Sequence, residues 1–202
     1  MIIQSIRYDL PISDVDFDKL YSPYIQSLSE LHWTSIEVAK KAASFLVQSS
    51  DTKVLDIGSG VGKFCIVGAS TTSGVFYGVE QRKELVDISR QIISDHHVHN
   101  VKILHSNIID IDFSNYNSYY FFNSFYENIE ESRMMDCSVT TSNLHYQQYR
   151  DYMYLQLLKA PIGTRLATYC CIVRDIPSCY TVYQTSFNHQ LKLWIKDKSS
   201  LI

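Results

Sequence analysis

The chain has 202 residues, of which 46% are hydrophobic, and its 18 basic and 21 acidic side chains give a formal net charge of −3. This composition is typical of a globular protein with a single domain, and it excludes a disordered or fibrous chain. The slight acidity argues against a nucleic-acid-binding protein with a broad basic surface, and no apolar run approaches the roughly 20 residues that cross a membrane.

The first fifty residues are predicted to be helical. Apolar residues recur at helical spacing over residues 17–28, although Pro23 is expected to interrupt that helix. The segment Thr34-Ser35-Ile36-Glu37 has the form of a capping box. A second helix is therefore predicted to begin at Thr34 and to continue through Leu46.

Beyond Lys53 the sequence alternates between short apolar strands and amphipathic helices. Repeated strand–helix–strand units predict a doubly wound, mostly parallel seven-stranded α/β sheet that ends in an antiparallel C-terminal hairpin. The expected division is a helical N-terminal extension over residues 1–50 and a main domain over residues 51–202. Strands are predicted at residues 54–57, 75–79, 101–104, 119–122, 165–172, 180–187 and 190–195, and helices at 63–69, 83–97 and about 144–158.

The five cysteines are odd in number and include no Cys-x-x-Cys pair. This pattern predicts reduced thiols, with neither a disulfide framework nor a metal site. The first eleven residues contain no signal-peptide core. A cytoplasmic location is expected, because free thiols persist in a reducing compartment.

Six of the seven glycines lie between residues 58 and 78. Asp56 ends a predicted strand, and Gly58, Gly60 and Gly62 follow it with the spacing D-x-G-x-G-x-G. Lys63 stands where a dinucleotide fingerprint has its third glycine, and no G-K-[ST] completes a phosphate-binding loop. An acidic residue beside such a loop favours a cationic ligand group, such as an ammonium or a sulfonium, over a phosphate.

Two further strand ends extend this pattern. Glu80 ends the second predicted strand 22 positions after Gly58, and an acidic residue at about this spacing accepts hydrogen bonds from ribose hydroxyls. Ser106 and Asn107 follow the third strand, where a partner for an adenine edge is expected. A glycine loop, a ribose acid and an adenine site together predict S-adenosylmethionine as the cofactor.

From about Lys53 to its C-terminus the chain resembles the class I, Rossmann-like S-adenosylmethionine-dependent methyltransferases. The resemblance implies that Asp56, Gly58 and Gly60 line the methionine half of the cofactor and that Glu80 holds the ribose. The resemblance also implies that Asn107 faces the adenine, at a position where many members have Asp. Further implied cofactor contacts are Ser59, Gly62, Gln81, Ile108 and Asn123.

In this fold the end of the fourth strand faces the transferable methyl group. Methyltransferases that act on amino groups often carry Asn/Asp-Pro-Pro-Tyr/Phe there; Asn123 and Tyr126 match this pattern, whereas Ser124 and Phe125 replace the two prolines. The similarity implies that Asn123 orients an acceptor amine and that Tyr126 stacks on it. Glu127 is a candidate general base, as is His32.

The segment His32-Trp33-Thr34 is similar to one in uncharacterised bacterial methyltransferases with a helical N-terminal segment. That similarity implies a lid on the substrate side, with Phe125 as a further substrate contact. The alternative is structural: Thr34 caps a helix while Trp33 packs. A weaker similarity relates the glycine loop, Glu80 and Asn123 to the non-SET histone lysine methyltransferases.

Three functions therefore remain open. The first is a nitrogen-directed methyltransferase whose acceptor is a protein side chain, a nucleobase or a small amine. The second is an oxygen- or carbon-directed methyltransferase of a small metabolite. The third, suggested by Ser124, is a catalytically inactive partner protein that binds S-adenosylmethionine. Neither a strong nucleic-acid footprint nor a membrane partner is expected, and the oligomeric state is left open.

Overall fold

The computed structural model describes residues 2–130, 136 and 138–199. Pro23 stands at the first position of a short helix, where its missing N–H costs no hydrogen bond. The predicted helix over residues 17–28 is thus divided into separate turns. The helices before the first strand are α1 (Ile2–Arg7), α2 (Asp14–Asp18), α3 (Pro23–Gln26), α4 (Ser29–His32) and α5 (Ile36–Leu46).

Seven strands within the described residues form one sheet. They are β1 (Lys53–Ile57), β2 (Val75–Glu80), β3 (Val101–His105), β4 (Ser118–Phe121), β5 (Arg165–Tyr169), β6 (Tyr180–Ser186) and β7 (Leu191–Lys196). Their order is β3-β2-β1-β4-β5-β7-β6. Strands β1 to β5 run parallel, while β7 pairs antiparallel with both β5 and β6. The predicted α/β fold with a C-terminal hairpin is confirmed.

Helices cover both faces of this sheet. The longer ones are α6 (Lys63–Thr71), α7 (Lys83–Asp95) and α8 (Asn143–Lys159). Helices α5, α6 and α7 contribute to one apolar cluster, and α8 contributes to the other. In β1, Val54 belongs to the first cluster and Leu55 to the second, as expected for a strand that is buried on both faces. None of the described helices is long and apolar enough to cross a membrane.

The start of α5 corrects the sequence prediction. Ser35, and not Thr34, is the N-cap, because the Ser35 side chain accepts a hydrogen bond from the backbone N–H of Val38. The hydroxyl of Thr34 is buried and lies 2.7 Å from the hydroxyl of Tyr120 on β4. Thr34 therefore joins the N-terminal helices to the sheet.

The end of β5 also differs from the prediction. The strand stops at Tyr169 and not at Ile172, because Cys170 adopts a left-handed conformation with φ of 52°. A left-handed residue cannot continue an extended strand. The chain therefore turns at Cys170, at the same edge of the sheet as the glycine loop.

Gly58 is the glycine that the loop after β1 needs most. Its φ is 73°, a left-handed value that costs a residue with a Cβ atom about 1–2 kcal/mol. A Cβ atom added there would lie 2.6 Å from Oγ of Ser124 and closer still to its Cβ. Gly60 also has a left-handed φ, of 52°, but an added Cβ would meet no atom within 4 Å. A comparison of alanine substitutions at these two positions therefore separates the cost of backbone strain from the cost of a steric clash.

We expect Gly58→Ala to lower the free energy of unfolding more than Gly60→Ala does. Gly60→Ala adds backbone strain of about 1–2 kcal/mol, and Gly58→Ala adds a further overpacking cost of about 1–3 kcal/mol. Urea denaturation of the two variants without added ligands measures both values. Ser124→Gly should recover most of the excess cost in Gly58→Ala, and equal destabilisation by the two alanines would contradict the steric explanation.

Candidate active site

One cleft of about 700 Å³ runs along the carboxyl ends of the strands. Its lining includes residues that directly follow five strands in spatial order: Ser106 after β3, Gln81 after β2, Gly58 after β1, Phe122 after β4 and Cys170 after β5. Ligands of open α/β sheets bind at this edge. Residues of α2, α4 and the segment before α5 also line the cleft.

Glu80 is buried at the end of β2 and lines the cleft. Its Oε2 accepts a hydrogen bond from Gly60 N at 3.1 Å, and its Oε1 accepts one from Arg82 N at 2.8 Å. Burial raises the pKa of Glu80, while these two hydrogen bonds oppose the rise. The carboxylate is thus fixed against the glycine loop, in a suitable position for the predicted contact with ribose.

Asn107 and Ile108 line the end of the cleft near β3. Asn107 Nδ2 donates to the hydroxyl of Tyr149 on α8 at 2.9 Å, and its Oδ1 accepts from Ile109 N at 3.2 Å. A carbonyl oxygen has two acceptor sites, so Oδ1 keeps one for the predicted adenine contact. Gln81 Oε1 accepts a longer hydrogen bond from the same Nδ2, at 3.4 Å.

Four of the predicted cofactor residues lie behind the lining. Gly60 and Gly62 have left-handed φ values and shape the loop backbone. Ser59 Oγ is buried and makes no hydrogen bond within the described part of the chain. Asp56 is buried, and its Oδ2 accepts a hydrogen bond from the thiol of Cys65 at 3.4 Å. Burial raises the pKa of Asp56 to about 7, against the opposing effect of Cys65.

The loop after β4 is fixed without prolines. Ser124 Oγ donates a hydrogen bond to Ile57 O at 2.7 Å, which ties the loop to the end of β1. Asn123 has a φ of 41°, and its backbone N–H donates to Sγ of Cys171 at 3.3 Å. Burial raises the pKa of Cys171 to about 12, so the group that accepts this hydrogen bond is a neutral thiol. Asn123 and Tyr126 both line the cleft.

Arg82, which lines the cleft just after β2, contacts three carboxylates. Its guanidinium binds both oxygens of Glu127, at 3.0 and 2.7 Å, and Oδ1 of Asp136 at 3.1 Å. It lies 3.9 Å from Oε1 of Glu80. The geometry does not support Glu127 as a general base, because both of its oxygens are held by a cation. Sequence reasoning missed Arg82, although it stands two positions after Glu80.

The predicted lid residues divide between two places. His32 and Trp33 line the cleft, whereas Thr34 lies below it, bonded to Tyr120. Trp33 packs on Tyr21, with 4.7 Å between ring centroids. Phe125 also lines the cleft and precedes Tyr126 in the loop after β4.

Lys63 ties the N-terminal helices to the glycine loop. Its ammonium is buried and lies 2.8 Å from Oδ1 of Asp14 and 2.7 Å from Oδ1 of Asp18, both on α2. It also lies 5.5 Å from the centroid of the Trp33 ring. A cation at the first position of α6 opposes the helix dipole, and the two carboxylates offset that effect. The sequence marked Lys63 only as a break in a glycine motif.

The sequence model of a family described as a methyltransferase domain matches residues 48–190. No curated protein sequence matches the chain significantly.

Three similar solved structures have low sequence identity to this chain. An RNA methyltransferase from Salinibacter ruber, in complex with S-adenosyl-L-homocysteine, has a TM-score of 0.55 at 15% identity over 81% of this chain and 91% of its own. TrmN from Thermus thermophilus has a TM-score of 0.58 at 13% identity, over 84% of this chain and 52% of its own. The E81Q mutant of MtNAS has a TM-score of 0.57 at 14% identity, over 97% of this chain and 69% of its own. These likenesses show a shared fold.

We expect Asp56 to make stability depend on pH. A carboxyl whose pKa rises from 3.8 to about 7 on folding stabilises the protein less as the pH rises through that window. Asp56→Asn should therefore gain stability relative to the unmodified chain between pH 5 and about 7, by at most about 1.4 kcal/mol per pH unit. Urea denaturation at several pH values measures the difference.

Asp112→Asn is the matched control for this measurement. Asp112 is exposed, and hydrogen bonds from Ser114 lower its pKa, so it does not titrate in the same window. A pH-independent difference for Asp56→Asn, or an equal slope for both variants, would contradict the prediction.

We expect Arg82→Ala to destabilise the protein by about 3–5 kcal/mol, because it leaves Glu80 and Glu127 buried without their cation. Arg150→Ala provides the control, since Arg150 and its partner Asp151 are largely exposed and such a pair contributes about 0–1 kcal/mol. Thermal and urea denaturation measure both effects. Similar losses for the two variants would show that the buried cluster is not needed for stability.

Proposed function

Because the chain belongs to the methyltransferase-domain family, we propose that it transfers the methyl group of S-adenosylmethionine to a nitrogen atom of its acceptor. The observation that carries this proposal is the cleft itself. Gly58 of the glycine loop, Glu80 after it in the chain and Asn123 in the loop after β4 all line the same space. The bound product in the Salinibacter ruber enzyme supports the choice of cofactor.

The reaction requires alignment more than acid–base chemistry. The nitrogen lone pair forms the new N–C bond while the C–S bond breaks, and its electron pair goes to sulfur. The positive charge moves from sulfur to nitrogen, and the methylated ammonium then releases a proton to water. Holding the two reactants in line supplies up to about 7–11 kcal/mol of the barrier reduction.

The arrangement of Glu127 favours nitrogen over oxygen as the nucleophile. A hydroxyl acceptor needs a base to remove its proton, and both oxygens of Glu127 are held by Arg82, which leaves His32 of the two candidate bases. A neutral amine reacts through its own lone pair. The side-chain oxygen of Asn123 can accept a hydrogen bond from such an amine and direct the lone pair towards the methyl group.

The setting that we propose for this reaction is the cytoplasm. Cys65 on α6 and Cys171 after β5 are thiols that form no disulfide with another described residue. Reduced thiols persist in reducing compartments.

We expect the protein to bind both S-adenosylmethionine and its demethylated product in calorimetric titrations. Methyl transfer is measured with labelled cofactor and a cell extract, followed by chemical separation of N-methyl from O-methyl products. Asn123→Ala should lower transfer by about 10–100-fold while cofactor affinity changes less than about threefold, because it removes contacts to the acceptor. Asn115→Ala, on an exposed turn, is the matched control.

Three results would contradict the proposal in different ways. Absence of cofactor binding would contradict the methyltransferase function itself. Label found only in esters or ethers points to an oxygen-directed enzyme. Cofactor binding without transfer to any extract points to an inactive partner protein.

A further inference from the structure

The lining of the cleft has an excess of negative charge. Its carboxylates are Asp14, Asp18, Glu80 and Glu127, and its Lys and Arg side chains are Lys63 and Arg82, so the formal charge is −2. Each of the two cations already lies within 4 Å of two of these carboxylates. Within the described lining, no Lys or Arg remains to pair with a phosphate.

Part of this excess lies under the N-terminal helices. One ammonium, that of Lys63, faces two carboxylates there, and it contacts Oδ1 of both Asp14 and Asp18. The Oδ2 atoms of these two residues make no hydrogen bond to any other described residue. The site therefore retains acceptor atoms and about one unbalanced negative charge.

Aromatic side chains also line the cleft. Trp33 comes from the segment before α5, Tyr126 from the loop after β4, and Phe122 and Tyr169 from the ends of β4 and β5. Phe122 and Tyr169 pack together, with 4.8 Å between ring centroids. Carboxylates combined with aromatic faces attract cationic groups and offer nothing to an anion.

Resting on the proposed function, we infer that the acceptor is a small organic molecule with a neutral amine that receives the methyl group, a second group that is positively charged, and no phosphate. Carboxylates near the acceptor stabilise the positive charge that develops on nitrogen during transfer. The same carboxylates repel nucleotides and RNA, whose backbone carries one negative charge per phosphate. The similar RNA methyltransferase from Salinibacter ruber therefore does not indicate the acceptor of this chain.

The size of the cleft favours a small molecule over a protein side chain. A cavity of about 700 Å³ lies in the usual range for small-molecule sites. That cavity has to hold both the cofactor and the acceptor.

The test compares two probes of equal length and opposite charge. Protein saturated with S-adenosylhomocysteine is titrated with 1,4-diaminobutane, with succinate and with a short oligoribonucleotide, at near-physiological salt. We expect the diamine to bind at least about tenfold more tightly than succinate, with no binding of the oligoribonucleotide. Stronger binding of succinate or RNA, or no binding of the diamine, would overturn the inference.

Two variants test whether Asp14 supplies the negative charge that binds the diamine. Asp14→Asn should weaken diamine binding about three- to tenfold without changing the affinity for S-adenosylhomocysteine. Asp9→Asn is the matched control, because Asp9 is also in the N-terminal extension but pairs with Lys40 outside the cleft. A loss of S-adenosylhomocysteine affinity in Asp14→Asn would assign this carboxylate to the cofactor and overturn the inference.

The same titrations separate this inference from the proposed function. A chain that fails to bind S-adenosylhomocysteine contradicts the methyltransferase function. A chain that binds it but does not prefer the diamine contradicts the acceptor class alone. The probe comparison uses the unmodified protein, so it holds even if Asp14→Asn does not fold.

Discussion

The pairing of two buried cations with several carboxylates is the constraint on which the cleft depends. Lys63 holds Asp14 and Asp18, and Arg82 holds Glu127 and Asp136 while lying close to Glu80. Carboxylates collected at one edge of a sheet repel one another, and desolvation adds to the cost unless a cation compensates. Both cations sit on segments that follow strand ends. The cations thus fix the N-terminal helices and the loop after β4 over the sheet edge.

Hydrogen bonds and an ion pair also hold the loop after β4 in place. At its start, the Ser124 hydroxyl donates a hydrogen bond to the carbonyl of Ile57, and the Asn123 backbone N–H donates one to the thiol sulfur of Cys171. Its later part is held by Glu127 on Arg82. The close approach of Ser124 in turn requires glycine at position 58. A serine in place of proline therefore restrains this loop through hydrogen bonds, and the left-handed φ of Asn123 is maintained by contacts on both sides.

Local patterns in the sequence predicted the sheet and the glycine loop, because strand alternation, helical spacing and glycine position act over a few residues. The ion pairs were not predictable in this way. Lys63 and Asp18 are 45 positions apart, as are Arg82 and Glu127, and only the folded sheet brings them together. The N-cap of α5 was misplaced by one residue, since Thr34 and Ser35 cap equally well in sequence and the bond from Thr34 to Tyr120 decides between them. The pairing of Glu127 with Arg82, which bears on its predicted role as a base, was not predictable for the same reason.

The charge of the cleft suits a reaction in which a cation is both consumed and formed. Burial holds the pKa of Asp56 near 7 and raises that of Glu80, so both carboxyls are costly to ionise before a cation arrives. A sulfonium ligand lowers that cost, because opposite charge favours the ionised form. In the transfer that we propose, the positive charge shifts from sulfur to nitrogen and stays within the same negative surroundings. On this proposal the carboxylates act on the charge of the reactants, while Asn123 and the glycine loop set their alignment.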